Sequence, residues 1–412
     1  MNIELLRKLD PDLAECLELE TARQEGNLEM IASESAQPSM TLELAGSIFN
    51  NKTAVGNPGK QRLKGSQYVE KLERLAADRA CEVFGADHAI MTTYSSSVAN
   101  YCAYSAFLKL GDRVISMDPS AGAHQTHGGG KNISSKLYDF RYFGLNKDTL
   151  LVDYDEAERL TREFKPKMII VGSAAYSRDL DYKRLADIAH SNGAVLVADI
   201  AHFTGLIAAG IGPDPIPYAD VVTASTTKTM CGPHSGFIMC KKKFADIIDA
   251  SVYPDVVASL HVQTIAAMTY ALKNSQTPEF KNLMHRVVKN ASFFCEELKK
   301  RGFGILTGGT DCHMFVADLR PFGVDCEKLA DVMQEVGITV NTKAIPFDKS
   351  PVARGLRAGV TVLTQRGFDE EALEEVADVW YALATHVDDA AVIADMKVKV
   401  ANLAKRFPLP ND

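Results

Sequence analysis

An aspartate and a lysine each follow a short apolar segment in the middle of the chain. Asp199 closes the segment 194–199, and Lys228 lies just beyond the segment 221–225. Ligands of open α/β sheets bind outside the carboxyl ends of the strands, so both side chains can converge on one crevice. A lysine there can form a Schiff base with an aldehyde, and a buried carboxylate can keep a pyridinium nitrogen protonated. Either residue alone is more often a cap or a solvated charge, but the pair indicates pyridoxal 5'-phosphate.

Two polar segments could complete such a site. Ser95, Ser96 and Ser97 stand between an apolar segment and an apolar helical stretch. They would offer hydroxyl and backbone donors at a helix N-terminus, where a phosphate is stabilised, although an ordinary serine N-cap is the alternative. His124 and His127 lie in the glycine-rich loop AHQTHGGGK. A histidine in this loop could stack on a flat ring or satisfy loop carbonyl groups.

Composition limits the classes of protein to which the chain can belong. Its 412 residues are 46% hydrophobic and 24% charged, as in a soluble globular protein too long for one core. The net charge of −8, with no basic run, argues against binding to nucleic acid or to an anionic membrane. The eight cysteines are scattered without metal-binding spacing, which is typical of reduced thiols in a cytoplasmic protein. We expect no metal site, and neither a secretory signal nor a membrane-spanning segment.

The elements that must position these residues are predicted from apolar periodicity. A helical arm begins near Asp10-Pro11, and a second helix spans 66–84. Six short apolar strands, separated by helix-length segments, predict a mostly parallel sheet: 88–93, 113–117, 168–172, 194–199, 221–225 and 236–240. Beyond residue 280 the pattern changes to a helix at 280–301, an alternating strand at 304–319, a helix at 326–336 and two closing helices. The predicted domains are a helical arm at 1–50, a large cofactor-binding α/β domain at 51–280 and a small α+β domain at 281–412.

A series of longer segments runs in order along the chain. They read IASES, NKTAVGNPGK, LVDYDEAERL, KPKMIIVGSAAYSR, VADIAHFTGLIAAG, ADVVTASTTKT, GGTDCHMFVADL and GLRAG. With the serine run and the histidine loop, this series resembles the serine hydroxymethyltransferase family over nearly the whole chain. The resemblance implies the aspartate-aminotransferase-like fold (fold type I), with a mostly parallel seven-stranded sheet and a smaller C-terminal α+β domain. It also implies pyridoxal 5'-phosphate as the cofactor.

The resemblance implies a function for individual residues at the cofactor. Lys228 would form the Schiff base, Asp199 would pair with the pyridine nitrogen, and His124 would lie over the ring. His202 would contact the ring from the Asp199 side. The residues implied to bind the cofactor are Ser95, Ser96, Ser97, His124, Asp199, His202, Thr226 and Lys228.

The resemblance also implies contacts with the substrate from two sides. Arg357 would clamp the carboxylate of an amino acid with help from Ser33, and bidentate pairing of a guanidinium with a carboxylate suits that function. The loop that contains Thr53, Val55 and Leu63 would reach into the site of a partner subunit. The expected partners are therefore small amino acid and aldehyde substrates and a second copy of the chain, in a homodimer with shared active sites.

That loop departs from the family pattern. The family typically reads N-K-Y-A-E-G-Y-P-G-K-R-Y-Y-G-G, whereas residues 51–65 read NKTAVGNPGKQRLKG. Thr53, Val55 and Leu63 therefore replace tyrosine, glutamate and tyrosine. In the family, this glutamate handles protons when a one-carbon unit passes between serine and tetrahydrofolate, and Val55 can neither donate nor accept a proton. Loss of a positioned acid or base typically lowers the rate by about 10²- to 10⁴-fold.

Other replacements also fall at the reacting end of the site. Thr227 stands where the family has histidine before its lysine, and Ala174 replaces a serine. His234-Ser235 replaces Arg-Gly, and DVVASLH follows Pro254 where a glycine-rich phosphate loop is expected. Because the residues expected at the cofactor persist, the pattern favours a specialised enzyme over neutral drift.

The sequence therefore predicts a folate-independent, pyridoxal-phosphate-dependent aldol enzyme. It would cleave or form the Cα–Cβ bond of a β-hydroxy-α-amino acid, as a threonine-type aldolase or transaldolase does, and specialised metabolism is a compatible setting. The candidate catalytic residues are Lys228 and, as alternative bases for the β-hydroxyl, His124, His127 and Thr227. Alternative functions are a tetrahydrofolate-dependent serine or α-methylserine hydroxymethyltransferase, other chemistry at the α-carbon, and a non-catalytic binding protein.

Overall fold

The computed structural model describes residues 2–410 and begins with the predicted helical arm. Helix α1 spans Ile3–Leu9, α2 spans Pro11–Gly26 and a short strand β1 follows at Leu28–Glu29. Asp10 caps α2 because its side chain accepts a hydrogen bond from the backbone N–H of Leu13, and Pro11 needs no such partner at the first helical position.

A seven-stranded sheet forms the centre of the molecule. Its strands are β2 (His88–Ile90), β3 (Arg113–Met117), β4 (Asp139–Phe143), β5 (Met168–Gly172), β6 (Val195–Asp199), β7 (Val221–Ser225) and β8 (Gly236–Cys240). The order across the sheet is β2-β8-β7-β6-β5-β3-β4. Strand β8 runs in the direction opposite to the other six strands, which are all parallel to one another. The predicted α/β class with a mostly parallel sheet is confirmed.

Helices cover both faces of this sheet, so its strands are apolar on both sides. The helices are α3 (Ser39–Ala45), α4 (Gln67–Phe84), α5 (Ser96–Phe107), α6 (Ser134–Leu137), α7 (Tyr154–Phe164), α8 (Tyr182–Ser191), α9 (Thr204–Ala208), α10 (Ala245–Ala250) and α11 (Val262–Ser275). Successive residues of β5 point to opposite faces: Ile169 and Val171 pack in one hydrophobic core, and Met168 and Ile170 pack in the other. This burial explains the continuous apolar sequence MIIVG.

Several strands differ from the sequence prediction: the strand predicted at 88–93 ends at Ile90, and the short strands at 28–29, 338–339, 341–343 and 355–359 were not predicted. Strand β4 is absent from the six predicted strands, because its charged residues Asp139 and Arg141 interrupt the apolar pattern at an edge of the sheet. The predicted strand 304–319 is two strands in the structure. The intervening turn contains Thr307 at a φ of 61°, which no strand can accommodate.

The C-terminal region has a smaller antiparallel sheet covered by helices. Its elements are α12 (Pro278–Lys300), β9 (Gly304–Ile305), β10 (Met314–Asp318), α13 (Cys326–Val336), β11 (Ile338–Thr339), β12 (Asn341–Lys343), β13 (Gly355–Gly359), α14 (Thr361–Gln365), α15 (Glu370–Thr385) and α16 (Ala390–Arg406). The sheet order is β12-β13-β10-β9, while β11 pairs in parallel with β1. Leu28 and Met30 therefore pack in the same core as Trp380. The domain limits at 50/51 and 280/281 stay a prediction.

Candidate active site

The side chain of Asp199 lies in a hydrogen-bond network at the carboxyl end of β6. Its Oδ2 accepts hydrogen bonds from Nδ2 of Asn100 at 2.8 Å and from Nε2 of His127 at 3.1 Å, and its Oδ1 accepts one from the backbone N–H of Ala201 at 2.9 Å. Burial alone raises the pKa of Asp199, but the hydrogen bond and charge of His127, helped by the hydrogen bond of Asn100, hold it below its ordinary value. Asp199 is therefore a buried carboxylate that stays ionised.

The neighbouring strand leaves room for Asp199 only because it ends in glycine. Gly172 of β5 pairs with Asp199 in the sheet register, and a Cβ at this position would come within 2.3 Å of the Asp199 carbonyl oxygen. Any larger residue at 172 would displace the end of β6 and, with it, the carboxylate.

His124 is partly buried and has a defined hydrogen-bond partner at one nitrogen. Its Nδ1 accepts a hydrogen bond from the backbone N–H of Thr126 at 3.3 Å and lies 2.8 Å from the Thr126 hydroxyl. Burial lowers the pKa of His124 to about 4, so the ring is neutral near pH 7. Because Nδ1 accepts, the hydrogen-bond network assigns the proton of this neutral ring to Nε2.

Lys228 lies beyond the end of β7, in a short turn that spans Lys228–Met230. Its φ of 25° is uncommon for a residue with a side chain, and such strain is frequent at functional sites. Burial lowers the pKa of its amine, and the charges of Asp199 and Arg357 act on it with opposite signs. The three groups therefore share one site, and the lowered pKa makes the amine of Lys228 easier to deprotonate, as a Schiff-base lysine requires.

The two threonines before Lys228 are buried against the turn that returns to β8. The Thr226 hydroxyl donates to the carbonyl of Pro233 at 2.7 Å, and the Thr227 hydroxyl lies 3.4 Å from the same oxygen. The Ser225 hydroxyl lies 3.3 Å from the Thr227 hydroxyl. These contacts hold Thr227 as part of the turn and favour a structural function over that of a base.

The serine run forms the N-terminus of α5, as expected. Ser95 is the N-cap residue, and its side chain accepts a hydrogen bond from the backbone N–H of Val98 at 3.2 Å. The backbone N–H groups of Ser96 and Ser97 belong to the first turn and have no partner within the helix. Gly236 allows β8 to approach, since a Cβ there would lie 2.3 Å from the carbonyl carbon of Ser95.

Arg357 lies on β13 and has no acidic partner among residues 2–410. Its Nε donates to Oδ1 of Asn341 at 2.9 Å, and its Nη1 donates to the carbonyl of Ala174 at 2.5 Å. Burial lowers the pKa of the guanidinium. A mostly buried cation bound only by neutral groups indicates a site for an anion. Ser33 is partly buried near this strand, where Gly359 donates to the carbonyl of Met30 at 2.8 Å.

Two further histidines, His202 and His313, lie in a row that ends at the backbone of Ala32, the residue before Ser33. His202 is buried, and its Nδ1 lies 3.3 Å from Nε2 of His313, which in turn lies 3.0 Å from the carbonyl of Ala32. The two rings are stacked, with 5.5 Å between their centroids. Burial lowers the pKa of both, so both are neutral near pH 7. His313 was not among the predicted site residues, although it belongs to the segment GGTDCHMFVADL.

The loop that contains Thr53, Val55 and Leu63 is held by hydrogen bonds within the loop itself. Gln61 binds it from within: Oε1 accepts from the backbone N–H of Val55 at 3.0 Å, and Nε2 donates to the carbonyl of Gly56 at 3.0 Å. Val55 also forms an isolated bridge with Ser259. Among the described residues, no hydrogen bond joins this loop to Asp199, Lys228 or Arg357.

The converging residues fit the predicted cofactor by their chemistry. The Asp199 carboxylate can hold a pyridinium, the Lys228 amine can bind an aldehyde, and the N-terminus of α5 can bind a phosphate. Of the residues outside the prediction, Asn100 contributes most, because it also accepts a hydrogen bond from the Thr223 hydroxyl at 2.6 Å and so fixes the position of its own amide. No cluster of metal ligands was found among residues 2–410.

Comparison with known families agrees with this geometry. The model of the family described as serine hydroxymethyltransferase matches residues 6–380, nearly the whole chain. Proteins of this family are pyridoxal-phosphate-dependent enzymes of fold type I, and both the cofactor and the fold class predicted from the sequence are thereby confirmed. No helix in the described part of the chain is long and apolar enough to cross a membrane. The chain belongs to the serine hydroxymethyltransferase family.

Proposed function

We propose that this enzyme cleaves and forms the Cα–Cβ bond of β-hydroxy-α-amino acids without tetrahydrofolate, as a threonine-type aldolase or transaldolase. The observation that carries the proposal is Val55, which occupies the position of the family's proton-transferring glutamate and ends in two methyl groups. Its backbone N–H is bound by Gln61 at 3.0 Å, so the loop is ordered around an apolar side chain.

When bound, pyridoxal phosphate withdraws electrons from the α-carbon of the amino acid. The Asp199 carboxylate would keep the pyridine nitrogen of the cofactor protonated, and His127 and Asn100 keep that carboxylate ionised and oriented. His127 is fully buried and directs Nε2 at Asp199, so we assign it to positioning and not to proton transfer at the substrate. Thr226 stabilises the turn that carries Lys228, because its hydroxyl donates to the carbonyl of Pro233.

Arg357 and Ser33 bind the α-carboxylate of the substrate. Asn341 and the carbonyl of Ala174 engage only Nε and Nη1 of the guanidinium, which leaves the other Nη free to donate. Since Arg357 lacks an acidic partner among the described residues, the substrate carboxylate supplies the missing negative charge. Ala174 provides a backbone acceptor here, for which its side chain is not needed.

Lys228 and His124 move the protons. The lowered pKa of Lys228 lets its amine accept or return the proton at the α-carbon. In cleavage, the tautomer of His124 that carries its proton at Nδ1 takes the β-hydroxyl proton at Nε2, and in synthesis the resulting imidazolium returns a proton from Nε2 to the oxygen of the incoming aldehyde. The Thr126 hydroxyl at Nδ1 can either donate or accept, so it accommodates both tautomers of the ring.

Glu73 does not replace the missing glutamate. Its Oε2 accepts from Nε2 of Gln61 at 2.8 Å, which connects it indirectly to Val55. The residue is only 2% exposed, and it lies on α4 beneath the loop. Burial raises the pKa of Glu73 to about 8, so it is a neutral acid enclosed in the protein near pH 7.

We also propose a homodimer in which the loop of each subunit faces its partner's site. Thr53 and Leu63 are exposed, and neighbouring apolar residues of the arm region, among them Leu42 and Ile48, are exposed as well. With threonine and leucine in place of two tyrosines, the loop would leave room for an aldehyde larger than formaldehyde. Sedimentation should give twice the chain mass for the wild type and a monomer for the Leu42→Asp, Ile48→Asp double variant. A monomeric wild type with full activity would refute this arrangement.

The proposed reaction is tested by its products. Holoenzyme given L-threonine should release acetaldehyde, detected with alcohol dehydrogenase, and glycine in equal amounts. With benzaldehyde present, mass spectrometry should detect β-phenylserine if the enzyme exchanges aldehydes. Lys228→Ala is the inactive control. A keto acid or an amine as the main product, without acetaldehyde, would assign the chain to transamination or decarboxylation instead.

A further inference from the structure

A lysine of the small sheet lies beside the arginine that we assign to the substrate carboxylate. Strand β12 pairs antiparallel with β13, with Asn341 opposite Arg357 and Lys343 opposite Gly355. Alternate residues of a strand share one face, so the side chains of Asn341, Lys343 and Arg357 point to the same side of the sheet. Lys343 and Arg357 are diagonal neighbours, a relationship that separates Cα atoms by about 7–8 Å.

The ammonium group of Lys343 has little to bind it within the chain. Its Nζ donates to the carbonyl of Pro119 at 3.4 Å, and no carboxylate lies within ion-pair distance among residues 2–410. Asp118 is the nearby acidic residue; its Oδ1 accepts from the backbone N–H of Ser120 at 2.7 Å. Burial and the charge of Arg357 lower the pKa of Lys343, and Asp118 only partly offsets them. Lys343 is half-buried and its ammonium group has one long hydrogen bond to a carbonyl, so we expect an anionic ligand for this cation.

The loop that Lys343 contacts belongs to the candidate active site. Pro119 begins the turn after β3, and the chain continues through Gly122 to His124. The Gly122 carbonyl accepts from the backbone N–H of Ala174 at 2.8 Å, and Ala174 in turn accepts from Arg357. Lys343 therefore adjoins both the loop of His124, which we assign to the β-oxygen, and the residues that hold Arg357.

We propose that Lys343 binds a second anionic group of the substrate, carried by the part of the molecule that the aldehyde supplies. The substrates would then be β-hydroxy-α-amino acids with an acidic side chain, formed from an aldehyde that bears a carboxylate or a phosphate. This inference rests on the proposed function for the position of the α-carboxylate at Arg357. It goes further because it assigns a negative charge to the side chain of the substrate. Lys343 is then a residue that determines specificity.

Calorimetric binding to the cofactor-loaded Lys228→Ala enzyme, which turns over neither ligand, tests the inference with a matched pair of ligands. L-threonine and threo-3-hydroxy-L-aspartate both carry a β-hydroxyl but end in a methyl group and a carboxylate, respectively. In this inactive background, into which each variant below is also introduced, we expect the enzyme with Lys343 intact to bind the hydroxyaspartate about 10- to 100-fold more tightly. Lys343→Met should abolish that preference and leave the Kd for L-threonine within about 2-fold, whereas Lys343→Arg should retain most of it. The exposed Lys349 provides the control variant Lys349→Met, which should behave as the wild type.

The other results are also informative. Tighter binding of 2-amino-3-hydroxy-4-phosphonobutanoate than of hydroxyaspartate, lost in Lys343→Met, would identify the second anion as a phosphate. An unchanged preference in Lys343→Met would overturn the inference. So would equal weakening of both ligands with a lower Tm, which is expected if Lys343 serves only to balance Asp118. Failure of the proposed function would be recognised separately, as serine turnover that requires tetrahydrofolate, since the ligand preference is measured by binding alone.

Discussion

Nε2 of His127 lies 3.1 Å from Oδ2 of Asp199, and the histidine is completely buried. This contact explains how a buried carboxylate keeps its charge. Burial favours the protonated acid, while the hydrogen bond and charge of His127 favour the carboxylate, and the net pKa is below the ordinary value. If Asp199 pairs with the cofactor nitrogen as proposed, the protonation of that nitrogen would depend on His127, which we assign to positioning.

Replacing His127 should therefore weaken the cofactor site in a pH-dependent way. In His127→Leu the pKa of Asp199 rises, so the carboxylate protonates as the pH falls and can no longer hold a pyridinium. We expect about 10-fold weaker binding of pyridoxal phosphate at pH 8 and a larger loss at pH 6, measured by absorbance titration of the apoenzyme. His127→Gln retains a donor and should lose less. If both variants bound pyridoxal phosphate as tightly as the wild type at pH 8 and at pH 6, this function of His127 would be excluded.

Arg357 should determine the affinity for amino acids. Arg357→Met leaves the substrate carboxylate without its charged partner, a loss of about 2–5 kcal/mol that corresponds to roughly 1.5 to 3.5 orders of magnitude in Kd or KM. Arg354→Met, three residues earlier and exposed, is the matched control. Glycine titration of the two holoenzyme variants distinguishes them. A small change in Arg357→Met would place the carboxylate at another residue.

His124→Phe separates the two proton transfers. Phenylalanine retains a flat ring but has no Nε2, so cleavage of L-threonine should slow by about 10²-fold while exchange of the glycine α-proton with solvent, followed by NMR, is little affected. Because the pKa of His124 is lowered to about 4, the ring is neutral at both pH 6 and pH 8, and the ratio between wild type and variant should be the same at both. Equal slowing of both reactions would indicate that His124 acts on the cofactor or the α-carbon.

Glu73 should make the fold less stable as the pH rises. The pKa of this glutamic acid is raised to about 8 by burial, so the native state retains a proton that the unfolded chain loses near its ordinary pKa of 4.5. The free energy of unfolding then falls as the pH increases from about 5 to 8, by roughly 2–4 kcal/mol at about 1.4 kcal/mol per pKa unit. Glu73→Gln should flatten this dependence in urea denaturation, whereas Glu82→Gln, exposed on the same helix, should not. Parallel curves for Glu73→Gln and the wild type would contradict the assignment.

Much of the fold could be predicted because its determinants are local. The apolar runs of β5 to β8 indicate strands buried on both faces, and Asp10-Pro11 and Gly85 indicate helix ends that the structure has. Edge strand β4 could not be predicted from the sequence, because a half-exposed strand with alternating charged residues resembles a loop. Thr307 could not be identified as a turn residue, because its positive φ depends on the residues packed around it.

The same distinction applies to the site: residues marked by the local sequence pattern could be predicted, whereas residues that depend on contacts with distant parts of the sequence could not. Asp199 and Lys228 could be predicted as site residues because Asp199 ends a recognisable strand and Lys228 follows shortly after another. Asn100 and His313 were missed because their function comes from contacts with residues distant in sequence, such as Thr223 and Ala32. Lys343 gave no signal in sequence at all, since only the pairing of β12 with β13 brings it next to Arg357.

The account rests on an aldol enzyme that has no use for folate, and one assay tests this directly. Aldehyde release from L-threonine and from L-serine is measured with holoenzyme, first without and then with saturating tetrahydrofolate. We predict that L-threonine is the better substrate and that tetrahydrofolate changes neither rate by more than about 2-fold. Turnover of L-serine that appears only with tetrahydrofolate, and exceeds the rate with L-threonine, would contradict the account.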